Sequence, residues 1–223
     1  MGKPDIIYED NDIIVCYKPA GIATQTRRIG QQDMESFIRN YRAAKNEPPY
    51  VGRVHRLDQP GEGVMVFAKN QKAAASLSRQ IKEHTTEKYY RAASRGQGVS
   101  GADKEEDNKE DNHDPAWHTL TDYISFDKRT NTSKITSEKD RQAKKAVLQY
   151  RILSNECNKT EFDIKLLTGR HHQIRLQLAN IGYPLIGDTK YGGETAREQL
   201  ALCSYKIVFD HPATGERLTF ELP

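Results

Sequence analysis

Long apolar runs are missing from this chain. The longest, Ile13-Ile14-Val15-Cys16-Tyr17 and Val64-Met65-Val66-Phe67-Ala68, hold five residues each, against the ~20 that a membrane-crossing helix needs. A soluble protein with no membrane partner is expected. Cysteine is scarce too: Cys16, Cys157 and Cys203 are odd in number and widely spaced, which suits neither a disulfide framework nor a zinc site. In apolar, β-like surroundings they are expected to be small, buried and reduced, in the cytoplasm. The opening Met1-Gly2-Lys3-Pro4-Asp5 has no apolar stretch followed by a small-residue cleavage site, so nothing marks export. A Gly-rich phosphate loop and internal repeats are also absent.

What remains is 223 residues, 36% hydrophobic and 29% charged, enough to bury a core without staples. The net charge of +3 hides a segregation. Residues 101–116 carry seven acids and two lysines, and the rest of the chain holds 32 bases against 24 acids, or +8. That balance favours a polyanionic partner, although a solvated basic surface explains it equally well.

Residues 6–8 and 13–17 read as strands around Glu9-Asp10-Asn11-Asp12, closed by Lys18-Pro19-Ala20-Gly21. Asp33 is placed to cap a helix with Met34, Phe37, Ile38 and Tyr41 on one face, stopped by Glu47-Pro48-Pro49. Residues 50–54, a polar loop and the run to Ala68 follow as strand, loop and strand. Asn70 then caps a second helix through Ala73, Ala74, Leu77 and Ile81. Residues 87–93 return to β-type residues. Residues 94–116 lack apolar periodicity and read as a charged surface insertion. Beyond it come β-like segments at 118–126, 145–153 and 159–167, with 127–142 a polar excursion between the first two. A helix at about 172–181, stopped by Gly182, and a final hairpin, 202–209 with 217–222, complete the chain. Hairpins dominate and no β-α-β alternation is present, so a single α+β domain, 1–223, on a mixed, largely antiparallel sheet with flanking helices is expected.

Three polar clusters interrupt the apolar segments. In His55-Arg56-Leu57-Asp58 the aspartate is the only carboxylate between Glu47 and Glu62, and Arg53, His55 and Arg56 surround it. A shielded, ionised carboxylate is a competent nucleophile, and it is equally the usual half of a loop-tying salt bridge. Lys88-Tyr89-Tyr90 sets adjacent tyrosines in a strand, one to each face, suited either to base stacking or to ordinary packing. Thr168-Gly169-Arg170-His171-His172-Gln173-Ile174-Arg175 loads cations onto a helix N-terminus, where they oppose the helix dipole and must find carboxylates or phosphates. No further metal-type ligand stands at suitable spacing, so structural hydrogen bonding outweighs metal binding.

Taken together, these segments resemble the RluA-type RNA pseudouridine synthases. The likeness rests on His55-Arg56-Leu57-Asp58 with Gly63-Val64-Met65-Val66-Phe67-Ala68-Lys69, on Lys88-Tyr89-Tyr90-Arg91-Ala92, and on Thr168 to Arg175 with Gly182-Tyr183-Pro184-Leu185-Ile186-Gly187-Asp188 and Tyr191-Gly192. Asp10-Asn11-Asp12-Ile13-Ile14-Val15 and Lys18-Pro19-Ala20-Gly21 add to it, so the resemblance runs from about residue 6 to the C-terminus.

The resemblance implies the pseudouridine synthase fold with a central catalytic cleft, in the compact form without an S4 domain. It makes Asp58 the catalytic carboxylate, Tyr90 the aromatic stacked on the target base and Arg175 the cation paired with Asp58. Arg56 would fill the space left by the flipped uridine and His55 would shape the loop, with Arg53, Lys88, Arg170, His171 and Gln173 as further RNA contacts. Extruding a base costs a few kcal/mol of stacking, which such contacts offset. The implied reaction isomerises a uridine of ribosomal or transfer RNA, with no nucleotide cofactor, no other cofactor and no metal, in a monomer. Attack at C1′, attack at C6 and abstraction of a sugar proton are all open to Asp58. One departure is Glu62, a carboxylate where the family often has a small hydroxyl, which is expected to alter the loop's contact with phosphates. The acidic insertion is expected to avoid the RNA-binding cleft or to restrain off-target binding. Two other readings stand beside this one: a catalytically silent RNA-binding or ribosome assembly factor of the same fold, and a glycoside or nucleoside hydrolase, which would need a second acid.

Overall fold

The computed structural model describes residues 4–26, 30–95, 116–192 and 198–223. The chain packs as two compact units, Met1–Tyr89 with Cys203–Pro223, and Tyr90–Leu202. Of the acidic insertion expected at 94–116, residues 96–115 lie outside the described residues.

In the first unit, β1 (Asp5–Glu9) and β2 (Ile13–Lys18) form the expected hairpin. Next, α1 (Met34–Ala44) opens on Asp33, whose carboxylate accepts from the Ser36 N–H while the Ser36 hydroxyl accepts from the Asp33 N–H, a complete capping box. Short β3 (Gly52–Arg53) leads through the polar loop to β4 (Glu62–Ala68), and α2 (Gln71–Lys82) opens on Asn70 as expected. The chain leaves this unit along β5 (Glu87–Ser94) and returns as β10 (Leu202–Asp210) and β11 (Arg217–Glu221).

Neighbouring strands here run β1-β2-β4-β10, with β3 on β4 and β11 on β10; the β4–β10 pair is parallel and the other described strand pairs are antiparallel. Ile13, Val15, Val64, Val66, Ile207 and Phe209 meet Ala73 and Leu77 of α2 in one buried cluster. Burying each large side chain there is worth ~1.5–3 kcal/mol. Gly63, at φ 132°, lets β4 approach β10: a Cβ there would lie 2.2 Å from the Ser204 carbonyl oxygen.

The second unit is an antiparallel meander in the order β9-β8-β6-β7, comprising β6 (His118–Asp127), β7 (Thr132–Thr136), β8 (Lys144–Glu156) and β9 (Lys159–Leu166), with α3 (Gln173–Asn180). Strand β7 corrects the expected excursion at 127–142. Thr132-Ser133-Lys134-Ile135-Thr136 is too polar to read as apolar alternation, yet its β-branched residues pair with Asp127 back to Tyr123. The cysteine expectation is corrected as well: Cys16 is buried, but Cys157 is exposed. It sits with Asn158 in the two-residue turn between β8 and β9, both at positive φ. Ile124, Ala146 and Leu176 form a small core, and Phe162 makes edge contacts with Tyr150 and Tyr183. Both units are thus sheets with few helices, the α+β class expected.

Candidate active site

Asp58 sits half-buried in the loop between β3 and β4, in the first unit. The backbone around it is fastened from several sides. Thr24 acts like a strand neighbour of Leu57: its hydroxyl donates to the Leu57 carbonyl at 2.9 Å and accepts the Leu57 N–H at 3.1 Å. The Gln59 carbonyl accepts the Gly21 N–H at 2.8 Å, and the Gln59 side chain donates to the Gly21 carbonyl at 3.1 Å. His55 Nε2 accepts the Val66 N–H at 3.1 Å, tying the loop's start to β4.

Beneath this loop lies Lys18, the last residue of β2 and fully buried. Its ammonium donates to the carbonyls of Pro19, Ile22, Gln59 and Gly61, two before the loop and two inside it. Burial pushes the Lys18 ammonium down to about 8, against the opposing fields of Asp58 and Glu62. His55 is driven further: burial, helped by the charge of Lys88, lowers it to about 3, so it is neutral at physiological pH. A neutral ring fits its role as acceptor of a backbone N–H. Lys88 is itself lowered by burial. Arg53 and Arg56 are exposed. Glu62 faces Tyr17, whose hydroxyl donates to its Oε2 at 2.7 Å, so this carboxylate is anchored at the start of β4.

In the second unit, Tyr90 is the inward member of the tyrosine pair and is buried. Tyr89, in the first unit, instead stands near Tyr205, with ring centroids 6.4 Å apart. Arg175 occupies the first turn of α3 and forms a two-pronged pair with Asp188, Nε to Oδ2 at 2.8 Å and Nη2 to Oδ1 at 2.7 Å. Both side chains are buried. Burial alone would raise the Asp188 carboxyl, but Arg175 and the Lys190 and Tyr191 N–H groups hold it below the usual range. The cation at the helix N-terminus has thus found a carboxylate within its own unit.

Gln173, expected at the RNA surface, is buried instead. Its Oε1 accepts from the Thr168 hydroxyl and the Arg170 N–H, and its Nε2 donates to Gln177. Arg170 donates from Nε to the Lys145 carbonyl. His172, at φ 54°, stacks on His171 at 3.7 Å, and the Tyr191 hydroxyl accepts the Ser133 N–H while meeting His172 Nδ1 at 2.9 Å. His171 packs on Phe126 and hydrogen-bonds Ser133.

Sequence reasoning missed Lys18, Thr24, Ser133 and the hydroxyl role of Tyr191. Only Lys18 carried a usable signal, a charge ending an otherwise apolar strand immediately before proline. Among the described residues one group, Asp10, Asp12 and His211, brings metal-type ligand atoms within 4.8 Å of one another. Asp10 already accepts from two backbone N–H groups, the Tyr8 hydroxyl and His211 Nε2, and Asp12 accepts from Asn70. It is a hydrogen-bonded knot bracing the β1–β2 turn.

Residues 12–180 match the family model of RNA pseudouridylate synthase. An uncharacterized RNA pseudouridine synthase of Bacillus subtilis (strain 168), YhcT, is 32% identical over all of this chain and 69% of its own length. The ribosomal large subunit pseudouridine synthase D of Vibrio cholerae is 32% identical over 98% of this chain and 67% of its own. Human RNA Pseudouridylate Synthase Domain Containing 4 shares the fold, with a TM-score of 0.72 over 98% of this chain and 88% of that one, at 20% identity. The chain belongs to the RNA pseudouridylate synthase family and is an RNA pseudouridine synthase. No described helix is long and apolar enough to cross a membrane.

Proposed function

We propose that this protein isomerises a uridine of large-subunit ribosomal RNA, as a cytoplasmic monomer, with Asp58 as the catalytic carboxylate. The observation that carries the assignment is the loop of Asp58: a half-buried carboxylate on a backbone held by Lys18, Thr24 and His55. A reacting group has to be held before its substrate arrives, because ordering it afterwards raises the barrier.

The reaction breaks the N1–C1′ bond, turns the detached uracil and joins C5 to C1′; the C5 proton leaves and N1 gains one. Atoms and electrons balance with no redox partner. Tyr90 supplies an aromatic face for the flipped base, and Arg175, held by Asp188, supplies a cation whose orientation is fixed. Exposed Arg56 is free in length and charge to enter the gap left in the RNA stack. The ribosomal target is supported by the relatives named as large-subunit synthases.

The test is to incubate the purified protein with ribosomal RNA from cells lacking it, digest the RNA and count pseudouridine. One new pseudouridine in the large-subunit RNA is expected. Product only in transfer RNA would overturn the target, and free uracil in place of pseudouridine would overturn the reaction.

A further inference from the structure

Strand alternation gives the β6–β8–β9 sheet two faces. One carries buried Ala146, Leu148, Tyr150, Phe162 and Ile164. The other carries a row that crosses the strands: Trp117, immediately before β6, then Arg151, Asp163 and, from β5, Arg91. The Arg151 guanidinium lies 4.8 Å from the Trp117 ring centroid and donates from Nε and Nη2 to Asp163 Oδ2 at 3.0 and 2.9 Å. Arg91 reaches the same oxygen at 3.7 Å. The next row holds Gln149 opposite Lys165.

Asp163 is buried, whereas 45% of the Arg91 side chain and 38% of Trp117 are exposed. One acid lies beneath the two arginines, and Glu161 at the margin of the row pairs with Lys159 and also feels the charge of Arg91. Structure alone does not need this. An Arg–Asp pair ties β8 to β9 without an aromatic, yet Trp117, the only tryptophan in the chain, stands exposed beside the Arg151 guanidinium instead of in the core. A ring fixed on a locked guanidinium and edged with cations is what a single-stranded polyanion with stackable bases requires.

We propose that this face of the sheet is a second RNA contact, where a base of single-stranded RNA stacks on Trp117 and Arg91, Arg151 and Lys165 meet the adjoining phosphates. The proposal rests on the reading of the chain as an RNA-modifying enzyme. It assigns the face to RNA flanking the modified nucleotide, so longer substrates gain affinity without a change in the chemical step.

Because Trp117 is the sole tryptophan, its emission reports on this face alone. The probe is a ten-residue oligoadenylate, which has bases and phosphates but no uridine to isomerise. Saturable quenching of emission is expected, with weaker binding at higher salt. Trp117→Ala should weaken binding of a labelled oligoadenylate about five-fold or more, the range for loss of one stacked base. Arg91→Ala should lower the salt slope by about one. On long RNA, Trp117→Ala should raise KM and leave kcat unchanged.

Unchanged emission with equal affinity in Trp117→Ala would overturn the proposal. So would equal quenching by inorganic polyphosphate, which lacks bases, or emission that shifts with protein concentration alone, which would give the face to a second copy. The wild type's pseudouridine yield separates the two readings. Quenching without pseudouridine defeats the proposed function and spares this contact; pseudouridine without quenching does the reverse.

Discussion

Around Asp58, one buried cation gathers main-chain carbonyls; around Arg175, side chains satisfy one another. Lys18 reaches four carbonyls, two of them in the Asp58 loop and more than 40 residues away in sequence. The α3 segment is fixed by Asp188, Gln173, Gln177 and Tyr191, most of whose side-chain bonds to it span fewer than 20 residues, with Gln177 to Asp122 and Tyr191 to Ser133 reaching further. The first arrangement holds the Asp58 loop by its backbone, whereas the second locks its cation into a buried pair. A loop braced through its backbone tolerates changes in its own side chains, while a cluster braced through side chains does not.

The largest expected effect follows from that contrast. Asp58→Asn keeps the shape of the loop and removes the charge, so turnover should fall by a factor on the order of 10³ or more. RNA affinity and thermal stability should stay near wild type. Pseudouridine yield measured beside a melting curve checks this, and a large drop in melting temperature would mean that the carboxylate is itself part of the brace.

Arg175→Ala should behave in the opposite sense. It strands Asp188, a fully buried carboxylate, and removing one partner of a buried pair costs about 3–5 kcal/mol. Denaturant unfolding should show that loss. The double change Arg175→Met with Asp188→Leu should recover much of it while leaving turnover low. Turnover restored with the stability would reduce Arg175 to a structural strut.

How far these arrangements were legible depended on where their partners lie in the chain. The caps Asp33 and Asn70, the strand pattern and the helix over 173–180 stand in local spacing, and they formed where expected. Asp58 also stood out, an isolated acid among bases. Lys18 was marked only as a charge ending an apolar strand; its role was not, because its partners are carbonyls, and backbone acceptors leave no mark in residue type. Strand β7 hid for a related reason: a polar edge strand pairs through its backbone and needs little apolar alternation. Gln173 misled in the other direction. In Arg170-His171-His172-Gln173 it reads as one more polar group for RNA, and only its packing shows that the helix start consumes it.

Lys18 offers a sharper, pH-dependent form of the comparison. Its ammonium, held by burial at about 8, loses its proton well below the ~10.4 of an unfolded lysine. Between these values the unfolded chain binds more protons than the folded one, so this group favours folding more as pH rises. The neutral amine has two donors for four carbonyls, and the Asp58 loop loosens. Turnover should therefore fall above about pH 8 without a matching loss of stability from this group. In Lys18→Met that alkaline limb should vanish from an already lowered rate. Parallel rate and melting measurements across pH 7–10 decide it, and a limb that persists in the variant would assign it to another group.

The smallest effect is expected at Gln173. Gln173→Ala removes three hydrogen bonds at the entry to α3, but the Arg170 N–H and the Thr168 hydroxyl lie nearer the surface, where water replaces part of what they lose. A destabilisation of about 1–2 kcal/mol is expected, with RNA affinity changed by less than about two-fold. An RNA contact would give the reverse, intact stability and weakened binding. Gln173→Glu separates the roles further. A glutamate keeps the acceptor for Arg170 and Thr168 but repels phosphate, so near-normal affinity in that variant would confirm that this side chain faces the protein and that the cations around it, not the amide, are what RNA meets.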